Sequence, residues 1–177
     1  MIIAGKSVPP SPSFATPPTQ CTVQHQYLSH LHCPGRDTTA QALSWTFYML
    51  AKNPAAEGRL VEEIMQTLGD VRAPTYDQVK TMRYSNAVFH ETLRLYPSVP
   101  KESKQALADD VLPDGTIVDA GTYVLWIPYA MGRSRAIWGE DAKEYRPDRW
   151  LEEKDLQPSS WEYPVFNGGP RICLGRG

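Results

Sequence analysis

Cys173 lies in the run FNGGPRICLG, residues 166–175, with Gly168, Gly169 and Gly175 close on either side. A cysteine that ligates a metal must be deprotonated, and its negative charge must be stabilised without quenching its electron donation. Backbone N–H groups do this when the chain turns tightly around the sulfur, and tight turns favour glycine. The competing reading is a structural cysteine buried in a Gly-rich turn, because free cysteine is commonly buried.

Two further constellations carry charge chemistry. Glu91 and Arg94 fall on one face of an expected helix within HETLRLYPSVP, where an exposed ion pair would contribute little. Asp37 and Thr38, in GRDTT, place an acid beside an alcohol. Taken alone, such a pair reads first as a helix N-cap. Cys21, His25, His30, His32 and Cys33 could suggest zinc, but their spacings match no common zinc arrangement.

The elements that must position these residues follow from composition and periodicity. Net charge is −2 at neutral pH and no basic block appears, which argues against nucleic acid as a partner. The start, MIIAGKSVPP, is too briefly apolar for a signal peptide or a membrane span. Residues 1–34 contain no acidic residue and are Pro/Ser/Thr/Gln-rich, which reads as a disordered tail. From Gly35 the apolar spacing becomes regular, placing a domain boundary there.

A first helix is expected from about Gly35 to Asn53, with Ala40, Leu43, Phe47 and Leu50 as its apolar stripe. Asn53-Pro54 opens a second, N-capped by Asn53, with Leu60, Val61, Ile64, Met65 and Leu68 facing inward and Gly69 as its stop. Thr75-x-x-Gln78 reads as a capping box, and a further helix spans roughly Ser85 to Leu95, ending before Pro97. Pro113-Asp114-Gly115 between Gln105–Val111 and Thr116–Val118 predicts a β-hairpin, and Tyr123–Ile127 a short strand. From Gly132 to Trp161 the chain is expected to be irregular and packed by its aromatics.

Together FNGGPRICLG, the Glu-x-x-Arg helix, YRPDRW and GRDTT resemble the C-terminal part of the cytochromes P450. The resemblance implies a mainly α fold with small β-sheets (α+β), here an incomplete cytochrome P450 fold. Its division is a non-family or disordered segment, 1–34, and a partial C-terminal domain, 35–177. It makes Cys173 the axial thiolate of heme b (iron-protoporphyrin). Arg171 is implied as a propionate partner, Phe166 as a shield on the sulfur side, and Gly169 and Gly175 as formers of the turn. Glu91, Arg94 and Arg149 are implied to form a buried structural network, and Asp37 and Thr38 to relay protons. Pro34 departs from the family pattern, and with its ring tolerated only at a helix start the distal helix is expected to begin there.

The implied activity is insertion of one oxygen atom of O2 into a C–H bond, with electrons from NADPH through a reductase. YPSVPKESKQALADDVLPDGT and YAMGR are most similar to the fatty-acid and alkane ω-hydroxylases, implying a small apolar substrate. A full-length relative would reside on the endoplasmic reticulum membrane, whereas this chain, without an anchor, is expected in the cytoplasm. The alternative is a truncated, non-enzymatic fragment unable to retain heme.

Overall fold

The computed structural model describes residues 3–5, 20–71, 73–152 and 158–176, with side chains from residue 35 onward. The chain divides into two compact units, Met1–Asp37 with Lys101–Ile127, and Thr38–Pro100 with Pro128–Gly177. Helix α1 (Gln20–Lys52) contributes a part to each.

The first unit holds the sheets. Strands β1 (Ile3–Gly5), β2 (Glu102–Gln105) and β5 (Tyr123–Trp126) form an antiparallel sheet in the order β1-β5-β2, with Ser103 and Ile3 both opposite Leu125. Strands β3 (Asp110–Val111) and β4 (Ile117–Val118) pair as the hairpin that Pro113-Asp114-Gly115 predicts. Gly115 takes φ 85°, a left-handed conformation that side chains disfavour, and its N–H donates to Leu112 O at 2.8 Å.

The second unit is helical. It contains α2 (Pro54–Leu68), α3 (Tyr76–Thr81), α4 (Arg83–Leu95), α5 (Pro128–Met131), α6 (Arg135–Trp138) and α7 (Arg149–Glu152). Leu50, Ala56, Tyr84 and Val88 form its core, with Leu60, Tyr145 and Leu151 packed against them. The whole is mainly α with two small antiparallel sheets, as expected.

Helix α1 differs from expectation at its start and on its face. It begins at Gln20 rather than near Gly35, so Pro34 lies in its interior. The proline removes one backbone donor, but the bonds of the turns on both sides remain available to carry the helix across it. The inner face is Ala42, Met49 and Leu50, while Leu43 and Phe47 of the expected stripe are 46% and 70% exposed and Ala40 is exposed too. Thr46 is what disguises the true face. Its hydroxyl donates to Ala42 O at 2.8 Å within the helix, so a polar residue lies half-buried there without an unpaired group. On α2, Val61 and Met65 are likewise exposed, and Ala56 is the buried residue.

Caps follow the sequence at some ends only. Thr75 and Gln78 form the predicted capping box of α3. Asn53 occupies the N-cap position of α2 but turns its side chain back, donating to Met49 O at 2.7 Å at the end of α1. The start of α4 is capped from another helix. Glu63 of α2 accepts from Tyr84 N, Ser85 N and Ser85 Oγ, each at 2.7 Å. Burial works to raise the Glu63 carboxyl, but the bonds from Ser85 and Tyr84 prevail and hold it below the usual carboxylate range.

Glu63→Ala is therefore expected to cost about 1–2 kcal/mol at neutral pH, the size of a lost N-cap. Because the folded carboxyl titrates below its unfolded value, this stabilisation is fully present above the unfolded pKa. It is lost as pH falls through the lower folded pKa. Urea unfolding of both proteins at neutral and acidic pH checks this, and the two curves should converge in acid.

Candidate functional site

Helix α4 carries the charge pair, and the structure buries both members completely. Glu91 and Arg94 have 0% exposure. Their spacing puts both on one face, where Arg94 Nε donates to Glu91 Oε2 and Nη2 to Oε1, each at 2.8 Å. The remaining N–H groups of Arg94 reach backbone carbonyls of the irregular segment: Gly132 O, Ala142 O at 2.6 Å and Glu144 O at 2.8 Å. Nε, Nη1 and Nη2 offer five N–H donors, and these five bonds use them all.

Glu91 is equally well satisfied. Arg149 Nε donates to Oε1 at 3.0 Å, Arg146 N to Oε1 at 2.8 Å and Trp150 Nε1 to Oε2 at 2.9 Å. Arg149 also pairs with Asp141, Nη2 to Oδ2 at 3.2 Å. The three residues expected to form a network thus meet, and the acceptors lie in the segment Gly132 to Trp150. A bidentate, fully hydrogen-bonded pair is the one circumstance in which a buried ion pair is secure. The partners not foreseen are Trp150, the Arg146 N–H, Asp141 and the three carbonyls. Trp150 was visible in Pro-Asp-Arg-Trp only as an aromatic.

Gly132 has a second requirement. A Cβ there would overlap the carbonyl oxygen of Arg94 and stand 3.0 Å from its carbonyl carbon. Only glycine lets the segment approach α4 closely enough for its carbonyl to meet the Arg94 guanidinium.

The cysteine turn is built from two 3-10 turns, Pro164–Phe166 and Gly169–Arg171. Cys173 N donates to Phe166 O at 2.8 Å, closing the loop between the two expected site residues. Gly169 takes φ 67°, as a tight turn demands. Gly168 is extended instead, and its need is space: a Cβ would stand 3.4 Å from Ser160 Oγ and from the Trp161 ring. At Gly175 a Cβ would make an ordinary 3.9 Å contact with Cys173 Sγ. Asn167, with φ 61°, is a left-handed residue the glycine pattern did not reveal. Arg171 and Cys173 are exposed and Phe166 is half-buried, so the sulfur is not the core cysteine of the competing reading.

Asp37 and Thr38 are consecutive on α1. Asp37 is exposed, with its carboxylate 3.9 Å from Arg36 Nε. Thr38 is half-buried, and its carbonyl accepts from Ser98 Oγ at 2.8 Å. Both lie well inside the helix, not at its N-terminus, which removes the N-cap reading. The Cys21, His25, His30, His32 and Cys33 side chains lie outside the described ones.

Residues 25–177 match the family model for cytochrome P450, and the chain belongs to that family. It is similar to cytochrome P450 94A1 of Vicia sativa, 46% identical over 149 residues, covering 80% of this chain and 28% of the relative. Cytochrome P450 86B1 of Arabidopsis thaliana is 43% identical over 155 residues, and cytochrome P450 704C1 of Pinus taeda 41% over 157, with 80% of this chain covered in each. The chain thus spans under a third of the length of these relatives. The match begins ten residues ahead of the boundary expected at Gly35. No helix among the described residues is long and apolar enough to cross a membrane.

Proposed function

We propose that this chain supplies the thiolate-bearing part of a heme monooxygenase that hydroxylates fatty acids or alkanes. The observation that carries the reading is Cys173, presented to solvent by a turn pinned through its own N–H to Phe166 O, in a chain of this family. The residues present fit a heme. A soft sulfur donor is flanked by Ile172 and by Leu174, which is 92% exposed, an apolar surface suited to the face of a flat macrocycle.

Cys173 would supply the thiolate that holds the heme iron in this reading. Arg171 would pair with a propionate, Phe166 would keep water from the sulfur, and Gly169 and Gly175 shape the turn. Heme bound there would supply dioxygen activation, with electrons from NADPH delivered by a reductase partner. Asp37 holds and passes protons together with the Thr38 hydroxyl. Glu91, Arg94 and Arg149 act structurally, keeping the segment that leads into the turn docked on α4. A full-length relative would reside at the endoplasmic reticulum membrane, as the family resemblance implies.

The substrate class rests on similarity to the ω-hydroxylases in YPSVPKESKQALADDVLPDGT and YAMGR. Protein supplied with heme, reductase, NADPH and a long-chain fatty acid under 18O2 is expected to yield a hydroxy acid carrying one labelled atom. Unlabelled product, or an oxidised reductase pool with no product, contradicts it. The exposure of the sulfur and of Leu174 favours one second reading, a chain that does not retain heme, because the described residues leave this face uncovered. Heme titration decides between the two.

A further inference from the structure

Four aromatic rings gather between α4 and the cysteine turn, and one hydrogen-bonded pair among them has no assigned role. The Tyr163 phenol donates to His90 O at 2.9 Å, and its oxygen lies 3.3 Å from His90 Nδ1. Since the phenol proton is committed to the carbonyl, the ring nitrogen must be the donor of the second bond. His90 is thereby fixed as the Nδ1–H tautomer, and the phenol oxygen becomes a two-way link to one residue of α4. Burial, aided by the Arg176 charge, pushes His90 below its ordinary value, which keeps the ring neutral and this arrangement intact at neutral pH.

The link lies one turn upstream of the sulfur's own support. Tyr163 immediately precedes the 3-10 turn Pro164–Phe166, whose last residue accepts the Cys173 N–H. The Phe166 ring meets the His90 ring edge-on at 6.3 Å, and Trp150 packs on both partners, 5.2 Å from His90 and 5.0 Å from Tyr163. Trp150 also donates through Nε1 to Glu91 Oε2, so the latch abuts the buried network. His90 precedes Glu91 in sequence but has different partners: Glu91 holds α7 and the Arg146 N–H ahead of it, whereas His90 meets Tyr163 after α7.

We propose that His90 and Tyr163 are positioning residues for Cys173, a hydrogen-bonded latch on α4 that sets where the thiolate turn stands. The inference rests on the reading of Cys173 as a heme ligand for its functional meaning. Its structural half is testable in the heme-free chain. Tyr163→Phe removes only the hydroxyl. Amide hydrogen exchange at Cys173 is expected to speed up about tenfold, the consequence of losing a net hydrogen bond or so of local stability, while Leu93 in α4 keeps its protection.

His90→Ala keeps the bond from Tyr163 to the backbone carbonyl and loses the one from Nδ1, so it should speed exchange in the same direction by a smaller factor. His90→Asn, whose amide nitrogen can stand in for Nδ1–H, should restore slow exchange. Should Tyr163→Phe lose protection at Leu93 as well, the comparison of His90→Ala with His90→Asn decides the matter. Unchanged Cys173 exchange in His90→Ala, or no rescue by His90→Asn, overturns the latch.

With heme added, the reduced carbon-monoxide complex gives a second readout. The share with the red-shifted Soret band of thiolate ligation should fall in Tyr163→Phe and His90→Ala and recover in His90→Asn. An equal share in wild type and His90→Ala overturns the functional half. Absence of the band already in the wild-type chain overturns the heme-ligand reading instead, and the exchange experiment still decides the latch.

Discussion

Arg94→Leu is expected to unfold the helical unit at urea concentrations the wild type tolerates, with a loss of about 3–5 kcal/mol, the range for breaking one member of a buried pair. The size follows from what remains. Glu91 would stay completely buried with its bidentate partner gone, and Gly132 O, Ala142 O and Glu144 O would each lose the N–H that satisfies them. Arg94→Lys should recover little, because an ammonium offers three N–H groups from one point whereas the acceptors are spread around a planar fork. Tryptophan fluorescence reports the transition directly, since Trp138 stacks over the guanidinium at 5.0 Å and Trp150 donates to Glu91. A loss under 1 kcal/mol for Arg94→Leu would mean the pair is no more than the surface ion pair its spacing alone allows.

Gly132→Ala is the second large effect, expected at about 3 kcal/mol, the upper part of the range for overpacking. One methyl group would be driven into the Arg94 carbonyl oxygen, a backbone atom that no rotamer change can move. The segment must then retreat from α4, taking its own carbonyl away from the Arg94 guanidinium. Gly58→Ala provides the contrast. It stands within α2 with nothing inside 4 Å of the added carbon, so the substitution should stabilise by about 0.5–1 kcal/mol through helix propensity. Denaturant midpoints of the two variants should move in opposite directions. Equal shifts would show that neither position depends on its surroundings.

How much of this was legible in sequence depended on how local the cause is. The capping box at Thr75, the hairpin at Pro113-Asp114-Gly115 and the stop at Gly69 involve neighbours in the chain, and all three form, although the first strand of the hairpin is only Asp110–Val111 and Gln105 belongs to the other sheet. Glu91 and Arg94 were legible as a pair for the same reason. What escaped needs partners far away in sequence: Glu63 capping α4, Trp150 and the carbonyls completing the network, and Tyr163 meeting His90. The face of α1 was misjudged because apolar count favoured Leu43 and Phe47, while Thr46 pairs internally and lies half-buried. The start of α1 was misjudged because Pro34 reads as a barrier, although a proline inside a long helix is unfavourable rather than forbidden. In the turn, glycine type predicted the left-handed residue at Gly169 but not the one at Asn167.

The claim on which the rest depends is that Cys173 presents a thiolate to heme iron. The direct measurement is the carbon-monoxide difference spectrum of the reduced chain after heme loading, for wild type beside Cys173→His in a Cys21→Ser, Cys33→Ser background. A red-shifted Soret band is expected in the wild type and an unshifted band in Cys173→His. The same unshifted band in both proteins, with heme bound in each, would contradict it.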